Sequence, residues 1–557
     1  MLHTQPARSI HPDAQRGTPL RAKRWCLFYV SPPGLDDDFI AQPLGIISIG
    51  AILKQQGIEV QCRDERIHSE AEMREAIEWA DVVGFSAMTP FVLRAIRWAR
   101  IAAAAGDKII MMGGPHTMMD PDLFLDTGDF HYVFSGEAEE SLLEVLNADG
   151  DPDRLRTILG ISFKDADGAK VVNEKRPLIR NLDALPFPDH TLLPLEVYVQ
   201  RNPENLFYIF TSRGCPFTCV FCDKSLTGQS FRTRSAANIA DELEDISTRF
   251  KPGNVLFIDE LFTCQKKRVK AICEEIRARG IQVNWACETR VDMIDYEMAL
   301  DMYKAGMRRM YFGAETGSDR MLVTLHKQFT RQQIIDTLRA VRRANVWTKI
   351  FLIFGTPGET AQDHDDTRSM LRAGHPDAVR TSLFNPLPST ESFKLWYDQI
   401  DKAKVLTTFV DADDTPLNHE HFTATELNAI RDQVRHDHEA WYAGPGPRLA
   451  RWYWRWRFYL VHPEFGWAKV IEKLRKITSG GSDRRKKAPA GHARHLVGRW
   501  AAVQDEFRGA PTQDQLDRWD RIRAASANLP SNHPSRRVQA LPVVQSTAGE
   551  PSVPRQS

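Results

Sequence analysis

The sequence predicts an α/β protein with two successive strand–helix series followed by a helical C-terminal region. From Trp25 to about Leu146, short apolar runs alternate with helical segments, and the same alternation begins again at Leu206. Strands that alternate with helices of this length are typical of parallel sheets. At 557 residues the chain is too long for one ordinary domain, so we expect two or three.

The first series predicts a doubly wound parallel sheet, in which ligands bind beyond the carboxyl ends of the strands. Its predicted strands are Trp25–Val30, Ile58–Arg63, Val82–Ser86, Lys108–Met112 and Tyr132–Ser135. Its predicted helices are Pro43–Gln56, Glu70–Glu78, Phe91–Ala105, Asp122–Leu125 and Ala138–Leu146.

The second series has six predicted strands, fewer than the eight of a closed barrel, and predicts a partial (β/α)6 barrel. The predicted strands are Leu206–Thr211, Asn254–Ile258, Gln282–Ala286, Arg309–Phe312, Trp347–Phe354 and Ala378–Leu383. The predicted helices are Ser235–Arg249, Lys266–Arg279, Tyr296–Ala305, Arg331–Ala344 and Ala361–Arg372.

We divide the chain accordingly. The predicted segments are a disordered N-terminus (1–24), the first α/β domain (25–150), a linker (151–204), the barrel (205–400), a helical cap (401–480) and a largely disordered basic and Pro/Ser-rich tail (481–557). Within the cap, the aromatic and arginine-rich run Arg451–Leu460 suggests either nucleic-acid or membrane contact, or packing over the barrel. We favour packing, because the run is short and the charge of the chain is balanced.

Composition excludes several classes of protein. Lysine plus arginine equals aspartate plus glutamate at 73 each, so no net field attracts nucleic acid or acidic membranes. Eight cysteines are too few for a disulfide framework and indicate a reducing compartment. Met1–Arg24 has no apolar core of a secretory signal, and no stretch reaches the roughly 18 apolar residues of a spanning helix. We therefore expect a cytoplasmic protein without a transmembrane segment or a nucleic-acid partner.

The most informative motif holds three cysteines. Cys215, Cys219 and Cys222 follow a predicted strand in C-x3-C-x2-C spacing. Three thiolates can hold three corners of a [4Fe–4S] cluster and leave the fourth iron open to a ligand. Structural zinc is the alternative, but zinc needs four ligands, and no further Cys or His occurs from Asp223 to Asp259.

This motif resembles that of the radical S-adenosylmethionine (SAM) enzymes, including the aromatic Phe221 before the last cysteine. The resemblance implies that a [4Fe–4S] cluster binds SAM and that the other strand ends hold the rest of that molecule. Glu260 and Arg290 would contact its methionine moiety. Glu315, in a Gly-x-Glu-x-Gly motif that ends at Gly317, would reach the ribose or amino end, and the segment at Gly355 would lie against adenine.

The strand ends of the first series resemble a cobalamin-binding domain. The resemblance is carried by Ser86 with Ala87 and Met88, the pair Gly113–Gly114, Gly136–Glu137, and Pro43, Leu44 and Gly45 at the first helix. In one respect the chain departs from the family, because Ser31–Gly45 contains no histidine to serve as an axial cobalt ligand. The alternative is a nucleotide-binding domain, although no G-x-G-x-x-G follows the first strand.

Together these resemblances identify a cobalamin-binding radical SAM enzyme, with [4Fe–4S], SAM and cobalamin as cofactors. They imply a 5′-deoxyadenosyl radical, a small-molecule substrate and an external one-electron reductant of the flavodoxin or ferredoxin type. The favoured activity is C-methylation of an unactivated carbon. The alternatives are a cobalamin-dependent cyclase, oxidase or rearrangement enzyme, as in the anaerobic magnesium-protoporphyrin ester cyclase group, and a non-catalytic cobalamin sensor.

Overall fold

The computed structural model describes residues 20–31, 40–202, 206–402, 404–405, 415–465 and 513–525. Most of the segments predicted to be disordered, 1–24 and 481–557, lie outside the described residues. The same holds for the acidic run Asp36–Asp38 and for residues 467–477 of the predicted cap.

A seven-stranded sheet of order β2-β1-β3-β4-β5-β6-β7 occupies the first part of the chain. Strands β1 to β5 are parallel, and their order 2-1-3-4-5 places the point of strand-order reversal between β1 and β3. The strands are β1 (Trp25–Val30), β2 (Val60–Asp64), β3 (Val82–Ala87), β4 (Ile109–Gly113), β5 (Tyr132–Phe134), β6 (Ile161–Lys164) and β7 (Lys170–Val172).

Helices cover both faces of this sheet, which confirms the predicted doubly wound fold. They are α1 (Leu44–Gln55), α2 (Glu70–Trp79), α3 (Val92–Ala104), α4 (Pro121–Thr127), α5 (Ala138–Ala148) and α6 (Pro152–Leu155). Trp25 and Leu27 of β1 pack into one hydrophobic core, whereas Cys26 and Phe28 pack into another on the opposite face. Burial on both faces explains why β1 reads as a continuous apolar run.

The first sheet continues into the segment that the sequence analysis assigns to the linker. Strands β6 and β7 pair antiparallel with each other, and β6 pairs antiparallel with β5. Their short, half-polar sequences carry little strand signal, and their place is set by the free edge of β5. Helix α7 (Leu195–Arg201) leads from this region into the second sheet.

The second sheet has six parallel strands in the order β15-β14-β13-β12-β11-β8. Since the strand order follows the chain and the described residues of β8 and β15 do not pair, the predicted partial barrel is confirmed. The strands are β8 (Leu206–Ile209), β11 (Asn254–Phe257), β12 (Trp285–Thr289), β13 (Met307–Glu315), β14 (Trp347–Phe354) and β15 (Ala378–Leu383), with the small hairpin β9 (Ser212–Arg213) and β10 (Arg232–Thr233) beside β8.

Alternate residues of the barrel strands pack outward against a ring of helices, and Phe312 and Ile350 belong to this core. The helices are α8 (Ala236–Arg249), α9 (Lys266–Ala278), α10 (Tyr296–Lys304), α11 (Asp319–Thr324), α12 (Arg331–Arg343), α13 (Ala361–Gly374) and α14 (Glu391–Leu395). Helix α15 (Ala424–Ala443) packs on β15 and is followed by α16 (Pro445–Val461). A separate unit contains α17 (Gln513–Ala525).

Two barrel strands extend further toward their carboxyl ends than their apolar patterns predict. Strand β12 ends at Thr289 instead of Ala286, and β13 ends at Glu315 instead of Phe312. Of these extra residues, Glu288, Thr289, Gly313 and Glu315 line the cavity described below, whereas Cys287 and Ala314 pack in the outer core. Apolar periodicity therefore stops before the strand does.

Among the described residues, no helix is long and apolar enough to cross a bilayer.

A buried histidine joins the two sheets. His190 is 5% exposed, and its ring centroid lies 4.2 Å from that of Phe207 on β8. Its Nδ1 lies 2.7 Å from Oε1 of Gln42, whose Nε2 donates to the carbonyl oxygens of His190 and Leu193. The side-chain oxygen of Gln42 is therefore the acceptor for Nδ1 of His190. The Nε2 atom of His190 has no hydrogen-bond partner among the described residues.

We expect acid to destabilise the folded chain through this histidine. Burial lowers the pKa of His190 to about 3, whereas an unfolded histidine binds a proton below about 6.5. The stability that the neutral ring provides is present above pH 6.5 and is lost as the pH falls toward 3, by up to about 1.4 kcal/mol per pH unit. In urea unfolding between pH 6.5 and 4.5, His190→Asn should show a shallower pH dependence than the wild type. His436→Asn, at an exposed site on α15, should match the wild type. Equal slopes for His190→Asn and the wild type would refute the assignment.

Candidate functional site

A cavity of about 460 Å³ opens at the carboxyl ends of the barrel strands, within the size range of small-molecule sites. The predicted site residues that line it are Cys215, Cys219, Phe221, Cys222, Glu260, Arg290 and Glu315. The other lining residues that the following paragraphs use are Phe217, Glu288, Tyr311, Gly313, Lys327, Phe351, Arg380 and Phe384. The fold thus brings together all three cysteines and the ends of three neighbouring strands.

The cysteine loop, residues 213–228, leaves the first barrel strand region and forms one wall of the cavity. Its backbone is tied by hydrogen bonds from Cys215 N to Gly228 O, from Cys222 N to Cys219 O, and from Val220 N to Leu325 O. No three His, Cys, Asp or Glu side chains of the described residues are placed to hold a single metal ion together. In an iron–sulfur cubane each cysteine binds a different iron, so its ligands do not converge on one point.

Asp259 fixes the start of the cysteine loop. This carboxylate is fully buried at the end of β11. It accepts hydrogen bonds from the backbone N–H groups of Thr211 and Ser212, at 2.6 and 3.1 Å, and from both hydroxyls. Arg268 lies 3.5 Å away and supplies the opposite charge. The buried carboxylate of Asp259 therefore fixes the backbone conformation just before Cys215.

Burial makes two of the three thiols weak acids. It raises the pKa of Cys215 and raises that of Cys222 to about 12. A metal that binds these sulfurs would displace their protons, since the thiolate is the ligand. Cys264 follows Glu260 closely in the sequence but is not among the residues that line the cavity.

Arg290 braces the cysteine loop from the end of β12. Its guanidinium stacks 3.7 Å from the ring centroid of Phe217, and its Nη1 lies 3.6 Å from Sγ of Cys219. Asp292 receives two hydrogen bonds from the same group, and the carbonyl oxygen of Lys327 receives another. With its donors engaged by protein groups, Arg290 positions the loop and presents positive charge to the thiols.

Glu315 is held in a strained position at the end of β13. Its φ is 66°, in the left-handed region that non-glycine residues rarely adopt, and the β13–β14 register shifts beside it. Its carboxylate pairs with the buried ammonium of Lys327 at 2.9 Å. A Cβ on Gly313 would lie 2.6 Å from Oε1 of Glu315, so glycine there leaves room for the carboxylate in this position. Strain of this kind clusters at functional sites.

The inner face of the barrel contributes charged side chains to the cavity. Glu288, Tyr311 and Lys349 lie side by side on β12, β13 and β14. Burial raises the pKa of Glu288 to about 7, although Lys349 and Arg380 oppose the shift. Glu260, which raises the pKa further, accepts a hydrogen bond from Gly214 N at 3.2 Å. Glu288 can therefore hold or release a proton at neutral pH.

Two glycines that the resemblance assigned to SAM lie outside the cavity lining. The Gly317 N–H donates to Oγ1 of Thr367 at 2.9 Å, so this glycine sits against α13. The Gly355 N–H donates to Glu359. Both glycines follow the carboxyl ends of β13 and β14, as their sequence pattern indicates. The cavity is lined by other residues of those strands, such as Glu315 and Phe351.

The carboxyl-end edge of the first sheet has a narrow glycine cradle. Gly114 has a φ of 100°, and a Cβ there would lie 2.9 Å from the carbonyl oxygen of Ala87 and 3.1 Å from Oγ of Ser86. A Cβ on Gly113, by contrast, would meet nothing within 4 Å. Ser86 and Gly113 are paired residues of β3 and β4. The cradle therefore combines a close backbone approach at Gly114 with open space at Gly113, at the carboxyl ends of β3 and β4.

The remaining predicted residues of this edge differ in how far they are exposed. Pro43 precedes α1 and Leu44 is buried in its core, whereas Gly45 is exposed, and a Cβ on it would meet nothing within 4 Å. Ala87 is buried, and Met88 packs against the adjacent core. Gly45 is therefore free to contact a ligand, whereas Leu44 and Ala87 shape the backbone.

Glu137 joins the first sheet to the cysteine loop. It is 7% exposed, and its carboxylate binds Arg213 at 2.9 Å and Arg232 at 2.8 Å, both from the strands that flank the loop. It also accepts from Ile179 N at 2.7 Å. Gly136, with a φ of 103°, turns the chain before it. Its oxygens therefore connect the two domains, and its contact with a cofactor stays a prediction.

Sequence reasoning missed several residues of this site. Asp292, Lys327 and Arg380 lie on segments without a recognisable motif, and only their contacts reveal them. Asp259 stood next to Glu260 at a strand end, a position that could have marked it. The signal for Phe217 was its place inside the cysteine motif.

We expect Glu137→Gln to weaken the junction of the two domains. The change leaves the buried Arg232 and the largely buried Arg213 without their full counter-charge, which should lower the free energy of unfolding by about 3 kcal/mol. Urea unfolding measures the loss. Glu140→Gln is the matched control, because Glu140 pairs with Arg176 at an exposed site and should cost less than about 1 kcal/mol. Equal effects of the two variants would contradict this role.

The raised pKa of Glu288 predicts a stability that falls as pH rises. Its pKa is about 7 in the folded chain and 4.5 as a free group, so ionisation between these values penalises only the folded state. Because the cavity admits solvent, we expect a loss of about 1–2 kcal/mol from pH 5 to pH 8. Urea unfolding at both pH values should show this loss in the wild type and in Glu297→Gln, an exposed control, but not in Glu288→Gln. A Glu288→Gln variant with the wild-type pH dependence would disprove it.

Comparisons with known proteins agree with both halves of the fold. Residues 209–371 match the radical SAM superfamily, and residues 36–146 match the B12 binding domain. The first match covers the cysteine loop and most of the residues that line its cavity, and the second covers strands β2 to β5 with the glycine cradle.

Among similar proteins are an uncharacterized methyltransferase of Pyrococcus horikoshii and the anaerobic magnesium-protoporphyrin IX monomethyl ester cyclase of Rubrivivax gelatinosus. The first is 31% identical over 63% of this chain and 76% of its own. The second is 28% identical over 70% of each chain.

A solved structure shares the fold. The radical S-adenosylmethionine methyltransferase TsrM from Kitasatospora setae, with cobalamin and a [4Fe–4S] cluster bound, superimposes with a TM-score of 0.58 at 16% identity. The match covers 68% of this chain and 75% of that one. The two family matches and the Pyrococcus relative lead to one assignment: the chain belongs to the cobalamin-binding radical SAM enzymes.

Proposed function

We propose that the chain is a cobalamin-dependent radical SAM methyltransferase that methylates an unactivated carbon of a small molecule. The observation that carries the proposal is the convergence of three thiols with Glu260, Arg290 and Glu315 in one cavity. When bound, the cluster and SAM supply a radical able to activate a C–H bond, and cobalamin supplies a methyl group.

The described residues fit these cofactors. Cys215, Cys219 and Cys222 line a common wall and offer three soft sulfur donors, as a cubane with an open iron requires. At the first sheet, the space above Gly113 and the cradle of Ser86 and Gly114 would accept the nucleotide end of cobalamin. His116, the next histidine after the glycine pair, is fully buried, with Nδ1 3.2 Å from Oγ1 of Thr89 and its ring against Phe124.

Protein groups would orient the reaction and exclude water. Arg290 would hold the cysteine loop and place its positive charge near the carboxylate end of SAM, while Glu260 and Glu315 would accept from the amino or ribose groups of SAM. Four rings, those of Phe217, Phe221, Phe351 and Phe384, line the cavity and would keep solvent from the reacting carbon. Glu288 would take up or release a proton beside the substrate.

The remaining partners follow from this chemistry. An external one-electron reductant, of the flavodoxin or ferredoxin type, would supply the electron that the cluster transfers. The eight cysteines are all free thiols, which supports a reducing, cytoplasmic location. A cyclase activity is the second candidate, because the Rubrivivax relative matches over 70% of each chain.

Cys219→Ala should remove the activity and the iron together. We expect iron and acid-labile sulfide to fall to background after anaerobic reconstitution, and 5′-deoxyadenosine formation from SAM to cease, because one of three cluster ligands is lost. Cys264→Ala is the matched control, since Cys264 is half-buried near the site but outside the cavity lining, and it should retain both. Iron retained by Cys219→Ala, or lost equally from Cys264→Ala, would sink the cluster assignment.

Product analysis with methyl-labelled SAM separates the two activities. A methyltransferase forms S-adenosylhomocysteine together with 5′-deoxyadenosine and a labelled product, whereas a cyclase forms no S-adenosylhomocysteine. A cobalamin sensor forms neither nucleoside product. We expect both products and a labelled small molecule from a cell extract.

A further inference from the structure

Helix α16 concentrates the exposed apolar surface of the described chain. Nine large hydrophobic side chains are exposed in this part of the protein, and six of them lie on α16. They are Leu449, Trp452, Tyr453, Trp456, Leu460 and Val461, with exposed fractions from 44% to 66%. Contiguous exposed apolar surface of this kind marks an interaction site.

Five of these side chains form one stripe along the helix. At about 100° per residue, Leu449, Trp452, Tyr453, Trp456 and Leu460 fall within an arc of about 100°. We call these five residues the aromatic stripe. The rings of Trp452 and Trp456 are stacked, with centroids 6.3 Å apart. The stripe therefore presents a continuous apolar ridge.

The opposite side of α16 anchors the helix to the barrel. Phe458 lies about 180° from the centre of the stripe and is 3% exposed. Its ring centroid is 5.1 Å from that of Tyr303 on α10. Arg451 stacks 3.7 Å from the ring centroid of Tyr442 on α15 and donates to its carbonyl oxygen. These contacts fix the direction of the stripe away from the protein.

The charge around the stripe has one sign. Arg448 and Arg455 flank it on one side and Arg457 on the other, and all three are exposed. No Asp or Glu occurs from Pro445 to Pro463, although the chain as a whole is neutral. Among the described residues, none of these three arginines forms an ion pair with a carboxylate. Their charge is thus available to an external anion.

We propose that α16 binds the surface of an anionic phospholipid bilayer, lying in its plane. Tryptophan and tyrosine favour the boundary between headgroups and acyl chains, and Leu449 and Leu460 would enter the apolar layer. The arginines on both flanks would then reach lipid phosphates. The balanced charge of the chain does not oppose this, since Debye screening limits the surface field to the residues near it.

The same features disfavour other occupants. A second copy of the chain would bring the stripe onto itself and place flanking arginines against one another, because a twofold interface pairs identical surfaces. Single-stranded nucleic acid would use the rings and the arginines but would leave Leu449 and Leu460 against polar groups.

Vesicle flotation of the full reconstituted chain tests this proposal. The probes are vesicles of phosphatidylcholine alone and of phosphatidylcholine with phosphatidylglycerol at about 3:1. We expect flotation with the anionic vesicles only, and a partition coefficient at least about tenfold lower for Trp452→Ser/Trp456→Ser. Arg448→Gln/Arg455→Gln should lower it by about tenfold and weaken its dependence on salt. Val172→Ser, at an exposed apolar site on β7, is the matched control and should bind like the wild type.

Several outcomes would overturn the proposal. The first is wild-type protein that floats with neither kind of vesicle, or equally with both. The second is a Trp452→Ser/Trp456→Ser variant that floats like the wild type. The third is a Val172→Ser variant that loses as much binding as the tryptophan variant. Light scattering that shows a dimer lost only in the tryptophan variant would assign the stripe to a second copy. Binding does not depend on turnover, so the result is independent of the proposed methyl transfer.

Discussion

The site depends on one buried carboxylate at the end of the second barrel strand. Asp259 collects the N–H and hydroxyl groups of Thr211 and Ser212 and so fixes where the cysteine loop begins. An unpaired buried carboxylate is costly, and Arg268 at 3.5 Å offsets part of that cost. Because three sulfurs must meet one rigid cluster, an error in the first turn of the loop would displace all of them.

A second constraint connects that loop to the other domain. Glu137 follows the last parallel strand of the first sheet, and its two arginine partners border the cysteine loop on both sides. The glycine cradle and the cavity thus belong to edges held together by a buried ion network. A radical reaction that uses two cofactors needs such fixed distances, since positioning supplies much of the rate.

Strain and charge within the cavity support the same function. Glu315 keeps an unfavourable backbone conformation because Gly313 leaves room for its carboxylate and Lys327 neutralises it. Arg290 uses its planar group to stack on Phe217 while it meets Cys219. On the outside, the aromatic stripe of α16 shows that residues first interpreted as a packing cap divide into two faces, with Phe458 inward and the tryptophans outward.

The sequence alone determined the class of fold, the two strand–helix series and the cysteine motif, because periodicity and ligand spacing are local properties. The predicted carboxyl ends of β12 and β13 came too early, since residues facing a polar cavity break the apolar pattern. Only the tertiary structure showed that Lys327 pairs with Glu315 and that Gly317 and Gly355 lie outside the cavity lining. It also showed that Glu137 binds Arg213 at the junction of the two domains. These outcomes depend on contacts between segments far apart in the chain, which no local pattern encodes.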